Sequence, residues 1–94
     1  MLVTFLHGFG QRGRSWSEVI SLLPAGPQKL APDLRGPTMD DCLDALEAIW
    51  NGEASHLVGY SMGGRLALHA AARVPGRVLS VVTVGAHGGL EGAE

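Results

Sequence analysis

The chain has 94 residues, of which 46% are hydrophobic and 17% charged, and its formal net charge is −2. This length allows one small domain. Nucleic-acid binding needs a basic face, and a slightly acidic chain with scattered basic residues argues against it. A chain this short can bury only part of its surface. Its high fraction of hydrophobic residues therefore indicates apolar faces that are covered by additional polypeptide.

The cysteine content and the N-terminal residues indicate a compartment. Cys42 is the only cysteine, so no internal disulfide forms. The apolar start, Met1 to Leu6, lacks the charged region and cleavage site of a signal peptide. No run approaches the roughly 18 apolar residues of a membrane span. We therefore expect a cytoplasmic protein with no membrane partner.

Strand-like and helix-like patterns alternate along the chain. Apolar, β-branched runs predict strands at 2–6, 28–31, 56–58 and 77–84. Helical spacing of apolar residues predicts helices at about 16–23, 39–50 and 62–74. Strands that alternate with helices predict an α/β fold, a parallel sheet with right-handed crossovers and helices on both faces.

Local signals predict where the first two helices begin and end. Ser15 with Glu18 three residues later forms a capping-box pattern at the start of the first helix. Thr38 with Asp41 is a weaker signal of the same kind for the second helix. Gly52, directly after Asn51, suits a left-handed cap at that helix's end.

The stretch Gly59-Tyr60-Ser61-Met62-Gly63 has the pattern of a nucleophile turn. In G-x-S-x-G, a strained strand-to-helix turn holds the serine hydroxyl above a sheet, and small neighbours let the turn close. Here a short strand precedes the pattern and a helix follows it. Ser61 is therefore the candidate nucleophile; the alternative is a tight turn whose serine only caps the helix.

The stretch from His7 to Gly10 follows the first strand and indicates an oxyanion hole. Acyl transfer needs preorganised N–H donors for the developing negative charge. In nucleophile turns of this kind, one donor is the residue after the serine, here Met62, and the other lies in a loop after an earlier strand. Phe9 is placed for the second role. We expect His7 to order this loop rather than to act as the catalytic base.

The chain resembles the α/β-hydrolase family in three motifs whose order and spacing match: His7-Gly8-Phe9, 33–36 and 59–64. The resemblance covers nearly the whole chain and implies strands 3 to 6 of that fold, its N-terminal part and apparently truncated. It implies Ser61 as nucleophile, with Phe9 and Met62 as oxyanion donors. One departure is Pro37-Thr38, where the family usually has His-Gly.

A narrower resemblance points to the MenH-type 2-succinyl-6-hydroxy-2,4-cyclohexadiene-1-carboxylate synthases of menaquinone biosynthesis. It is carried by Tyr60, by 63–67 and by 85–90, where Gly88 replaces the usual proline. It implies loss of pyruvate from a small carboxylate substrate. It also implies that Arg65 binds a substrate carboxylate or carbonyl and that Tyr60 lines the pocket. No metal or cofactor is implied.

The histidine base and acid of the triad are expected after the serine in this fold. His56, His69 and His87 are better explained as surface or loop histidines, Asp33 as a loop-ordering carboxylate and Cys42 as core. We therefore expect residues 1–94 to be a partial core domain without the lid and C-terminal strands, nearly inert toward esters on its own.

Two alternatives to the synthase stay open. One is a carboxylic-ester hydrolase that forms a covalent acyl-serine. The other is a non-catalytic fragment or binding module that keeps the pocket floor. An exposed sheet edge, where later strands would pair, further predicts self-association.

Overall fold

The computed structural model describes residues 1–85. Within these residues, four strands and three α-helices alternate: β1 Leu2–Leu6, α1 Ser17–Ser21, β2 Gln28–Leu30, α2 Met39–Trp50, β3 Ser55–Tyr60, α3 Met62–Arg73 and β4 Val78–Val84. The sheet order is β2-β1-β3-β4, and all neighbouring strands are parallel. The predicted parallel α/β fold is confirmed.

The main core lies between the sheet and the helix pair α2 and α3. Leu2 and Leu6 of β1 and Leu57 of β3 share one face of the sheet because alternate residues of a strand point the same way. They pack in one buried cluster with the apolar residues of both helices, among them Leu46 and Leu66. This packing fixes α3 against the sheet and with it the residues at its N-terminus.

The opposite face of the sheet is covered by α1 and the short 3₁₀ turn Gly13–Trp16 before it. Phe5 of β1 contacts the Trp16 ring, with ring centroids 5.2 Å apart. None of the residues of α1 is buried. Helices therefore lie on both faces, as predicted, but this second layer is thin, and Val82 and Val84 of β4 are exposed.

A buried polar group sits inside the main core. Thr4 Oγ1 accepts a hydrogen bond from Trp50 Nε1 at 2.9 Å and lies 2.8 Å from Ser55 Oγ. Both hydroxyls are fully buried. Buried polar groups are costly unless paired, so this set ties β1, β3 and α2 together in one arrangement.

The capping box predicted at Ser15 and Glu18 is wrong. Residues 13–16 form a 3₁₀ turn, α1 begins at Ser17, and its N-cap residue makes no side-chain cap hydrogen bond. Ser15 Oγ instead accepts a weak bond from the Arg12 backbone N–H at 3.4 Å. A tertiary bond from the Gly13 N–H to Asp33 Oδ1 at 2.8 Å holds this turn and overrides the local signal.

The caps of α2 follow the sequence signals. Thr38 Oγ1 accepts a hydrogen bond from the Asp41 backbone N–H at 3.0 Å, which confirms the cap. At the other end Asn51 already adopts a left-handed conformation, with φ of 49°, and Gly52 follows with φ of 89°. The turn after α2 therefore uses both residues.

Strands β2 and β4 form the two edges of the described sheet. Self-association through an exposed edge stays a prediction. Among residues 1–85, no helix is long and apolar enough to cross a membrane. His87 and most of the 85–90 segment that resembles the synthases lie outside the described residues.

Candidate active site

Ser61 lies in a strained turn between β3 and α3. Its backbone has φ of 54° and ψ of −113°, in the positive-φ region that L-residues rarely adopt. Such a conformation costs about 1–3 kcal/mol and persists only where the surroundings enforce it. The Ser61 N–H donates to the carbonyl of Val84 at 2.8 Å, and its carbonyl accepts from the Arg65 N–H at 3.1 Å. The turn is thus fixed to both β4 and α3.

The two glycines of the motif are needed because backbone segments meet there. A Cβ on Gly59 would overlap the backbone of Gly63, and a Cβ on Gly63 would overlap the carbonyl oxygens of Leu6 and His7. The start of α3 therefore packs directly against the end of β1. This close approach places Met62 beside the loop that follows β1.

His7 orders the loop after β1, as predicted. Its Nε2 accepts a hydrogen bond from the Leu34 backbone N–H at 2.8 Å, and its Nδ1 lies 2.8 Å from the carbonyl of Gly8. The ring is 4% exposed. With both nitrogens engaged, His7 cannot also accept a proton from Ser61, so it is a structural histidine.

Gly8 is held between two side chains. Its N–H donates to Gln11 Oε1 at 3.1 Å, and its carbonyl accepts from the Gln11 N–H, also at 3.1 Å. A Cβ on Gly8 would lie 2.9 Å from Cδ2 of Tyr60, so the tyrosine ring packs on this glycine. The Phe9 side chain is 88% exposed and anchors nothing. The position of the Phe9 amide therefore depends on Gly8 and its neighbours.

Asp33 fixes the same loop from the far side. Its carboxylate accepts from the Gly13 N–H at 2.8 Å and lies 3.4 Å from Arg35 Nη2. The bond from Gly13 holds the pKa of Asp33 below its usual value, and the Arg35 guanidinium adds to this. Asp33 is thus the loop-ordering carboxylate that the sequence predicts.

The other predicted site residues border the turn. Met62 and Ser61 are half-buried, whereas Tyr60 is 43% exposed and lines a groove with Trp16 and Val84. Arg65 is exposed on the first turn of α3, and its guanidinium makes no ion pair with any of residues 1–85. The first N–H groups of a helix lack internal partners, so Met62 offers a donor there.

A family model described as alpha/beta hydrolase fold matches residues 2–92. The chain belongs to the α/β-hydrolase fold family.

Curated members of the family resemble the chain at modest identity. It is 35% identical to a pimeloyl-[acyl-carrier protein] methyl ester esterase of Aromatoleum aromaticum, over 88% of the chain and 36% of the relative. It is 33% identical to a 2-succinyl-6-hydroxy-2,4-cyclohexadiene-1-carboxylate synthase of Enterobacter sp. strain 638, over 94% of the chain and 38% of the relative. The synthase of the same name from Escherichia coli O1:K1 is 35% identical, over 98% of the chain and 41% of the relative. The chain thus spans well under half the length of these relatives.

Solved α/β-hydrolase structures share the architecture. A 2-hydroxy-6-oxo-6-phenylhexa-2,4-dienoate hydrolase from Rhodococcus sp. strain RHA1 superposes with a TM-score of 0.86 at 27% identity, over 98% of this chain and 40% of the other. A pyrethroid hydrolase from Sphingobium faniae superposes with a TM-score of 0.80 at 27% identity, over 92% of this chain and 40% of the other. The resemblance to this family and the α/β-hydrolase-like fold are confirmed.

Within residues 1–85, no histidine is placed to act as the general base for Ser61. The Ser61 hydroxyl makes no hydrogen bond with any of residues 1–85. His56 lies at the start of β3, the opposite end from Ser61, and bonds Ser80 Oγ at 2.7 Å. His69 is exposed on α3 and bonds Asp40 at 3.1 Å. Neither histidine is available to take a proton from Ser61, and His87 lies outside the described part.

The described residues were also compared with the ligand groups that metal ions need. In the part of the chain that the structure covers, no three His, Cys, Asp or Glu side chains are grouped to hold an ion.

Gln11 also holds the loop after β1, and its sequence context does not predict that contact. Its side chain closes the loop after β1 on Gly8 through a local bond across three residues. Short polar side chains often bond nearby backbone groups in turns, but glutamine in a loop carries no distinctive pattern. Only the folded loop shows which amide it reaches.

Proposed function

We propose that this chain is the part of a serine-dependent α/β-hydrolase enzyme that carries the nucleophile and the oxyanion hole, and that the enzyme eliminates pyruvate as MenH-type synthases do. Ser61 is the proposed catalytic residue. The Phe9 and Met62 amides stabilise negative charge on the reacting oxygen. The acid and histidine partners come from outside the described residues.

The observation that carries the synthase proposal is Arg65. It lies four residues after Ser61, one helical turn along α3, and its guanidinium is exposed and unpaired among the described residues. A planar guanidinium suits bidentate binding of a carboxylate. Tyr60, directly before Ser61, adds a polar ring at the same edge. The synthases among the curated relatives support this choice.

In the proposed elimination, a histidine-activated Ser61 takes a proton from the substrate. The electrons move toward a carbonyl oxygen, which becomes an enolate and is held by the two amides. The enolate electrons then form a carbon–carbon double bond as the carbon–oxygen bond to the leaving group breaks, and the released enolpyruvate takes up a proton to become pyruvate. Arg65 holds the substrate carboxylate in place during this step. No cofactor is needed for this chemistry.

The test is pyruvate release by the polypeptide made from the complete reading frame that contains these residues, with the synthase substrate and lactate dehydrogenase as coupling enzyme. We expect Ser61→Ala to abolish release. Arg65→Ala should lower kcat/KM about tenfold to a hundredfold, the cost of one charged hydrogen bond. Arg77→Ala, at the opposite end of the sheet, is the matched control and should be near wild type.

An ester hydrolase is the second candidate. The observation that favours it is a largely apolar cavity directly beside the proposed oxyanion donors Phe9 and Met62. The esterase among the relatives points the same way. A burst of p-nitrophenolate from p-nitrophenyl esters, equal to the enzyme concentration and absent in Ser61→Ala, would support the acyl-serine route. Pyruvate release without ester turnover would exclude it.

The substrate in either case is a small carboxylate or ester. The cytoplasmic location expected from the sequence stays a prediction.

A further inference from the structure

The turn after α2 contains an asparagine that is followed directly by a glycine. Asn51 is the only asparagine in the chain. Both Asn51 and Gly52 are exposed, and a Cβ on Gly52 would meet nothing beyond its chain neighbours within 4 Å. The Gly52 N–H donates to none of residues 1–85. A side-chain amide therefore lies next to an unhindered backbone nitrogen that no hydrogen bond holds in the described part of the chain.

An asparagine–glycine pair can deamidate without an enzyme. The deprotonated backbone nitrogen of the glycine attacks Cγ of the asparagine, ammonia leaves, and a succinimide ring forms. Water then opens the ring at either carbonyl, which gives aspartate or isoaspartate. Glycine is the following residue that hinders this attack least, because it has no side chain. Ring closure needs the attacking nitrogen and the asparagine Cβ on the same side of the Cα–C bond.

The folded turn prevents this attack. Asn51 is left-handed, with φ of 49° and ψ of 48°. For an L-residue this ψ places the next nitrogen on the opposite side of the Cα–C bond from Cβ, so the Gly52 nitrogen points away from the Asn51 side chain. The Glu53 N–H closes the turn by donating to the carbonyl of Trp50 at 3.0 Å. The backbone at Asn51 must rotate, and this bond must break, before the ring can close.

A distant side chain also holds the turn closed. Arg77 Nη1 donates a hydrogen bond to the carbonyl of Gly52, 25 residues away. Arg77 ends the 3₁₀ turn Pro75–Arg77, which leads from α3 into β4, and its own N–H donates to the carbonyl of Val74 at 2.9 Å. Because the carbonyl of Gly52 moves when the backbone at Asn51 rotates, opening the turn breaks the bond from Arg77 as well.

We propose that Asn51 is a deamidation site gated by the turn after α2, and that Arg77 holds this gate closed. Conversion of Asn51 occurs only while the turn is open. It is also one-way: aspartate at position 51 puts a negative charge at the C-terminal end of α2, which the helix dipole disfavours. Isoaspartate inserts a methylene into the backbone, so the original turn cannot re-form. Ser61 lies at the opposite end of the sheet, so this site is independent of the proposed function.

The test follows deamidation in the polypeptide made from the complete reading frame. Trypsin releases residues 36–65 as one peptide, in which Asn51 is the only side-chain amide. Mass spectrometry of this peptide therefore reports Asn51 alone, and isoaspartate methyltransferase with labelled S-adenosylmethionine detects the isoaspartate product. We expect the folded polypeptide to convert at least about tenfold more slowly than the free 36–65 peptide under the same conditions, because conversion then needs an unfavourable local opening.

Variants locate the contact. Arg77→Ala should raise the rate about twofold to tenfold, the shift that the loss of one hydrogen bond gives to an opening equilibrium. Arg14→Ala, which removes an exposed arginine from the turn before α1, is the matched control and should keep the wild-type rate. Circular dichroism checks that each variant is folded. If Arg77→Ala is not, Arg77→Lys removes the guanidinium, keeps the charge, and should also raise the rate.

Two results would overturn the proposal. Equal rates in the folded polypeptide and in the free peptide would mean that the turn gives Asn51 no protection. Equal rates in the folded Arg77 variant and in Arg14→Ala would mean that Arg77 does not hold the turn closed. Neither result bears on the role of Ser61.

Discussion

The imidazole of His7 joins the loops that follow two neighbouring strands. Its Nε2 accepts a hydrogen bond from the Leu34 backbone N–H at 2.8 Å, across 27 residues of sequence. Because Nε2 is the acceptor, Nδ1 carries the proton and donates to the carbonyl of Gly8. The residue that begins the loop after β1 thus also sets the position of the loop after β2.

Replacing His7 should separate these loops. We expect His7→Phe to lower the free energy of unfolding by about 1–3 kcal/mol, because a half-buried Leu34 N–H loses its acceptor. Urea unfolding followed by circular dichroism measures this. His56→Phe removes an exposed contact with Ser80 and is the control. Equal losses in the two variants would show that the Leu34 bond contributes little.

A methyl group at Gly63 should be destabilising. It would overlap the carbonyl oxygens of Leu6 and His7 and force α3 away from the sheet. Overpacking of this kind costs about 1–3 kcal/mol. Gly76→Ala is the control, since a Cβ there meets no atom within 4 Å. Thermal unfolding should give a lower Tm for Gly63→Ala alone; a wild-type Tm would contradict the tight packing of the turn.

Stability should depend on the ionisation of Asp33. Its pKa is lowered in the folded state, first by the bond from the Gly13 N–H and then by Arg35. The carboxylate therefore stabilises the fold fully above its unfolded pKa of about 3.9, and this contribution is lost as pH falls through the lower folded value. Asp33→Asn should flatten this acid-side decline in urea midpoints.

Glu53→Gln is the control for this titration, because Glu53 is exposed and its carboxylate bonds none of the described residues. This variant should keep the wild-type decline below pH 4. A decline of equal steepness in Asp33→Asn would mean that other carboxyls carry it.

The sequence predicted the features that depend on local chemistry and on spacing. Alternating strands and helices predicted the parallel sheet, and the spacing of Gly59 and Gly63 around Ser61 predicted the tight turn between β3 and α3. Thr38 predicted its own cap because the bond runs only three residues along the chain.

Features that depend on distant contacts were not predicted. The pattern at Ser15 and Glu18 is locally consistent with a cap, but the bond from Gly13 to Asp33, 20 residues away, favours a 3₁₀ turn instead. The pairing of Thr4 with Trp50 joins residues 46 apart and has no local signal. The loop bond of Gln11 depends on a backbone path that only the packed fold defines.

The most direct test of the central claim is the site of covalent labelling. The polypeptide from the complete reading frame is treated with a p-nitrophenyl alkylphosphonate, digested, and analysed by mass spectrometry. We expect one phosphonyl group on the peptide that contains Ser61, and none in Ser61→Ala. Labelling elsewhere, or no difference between wild type and Ser61→Ala, would contradict a nucleophilic Ser61.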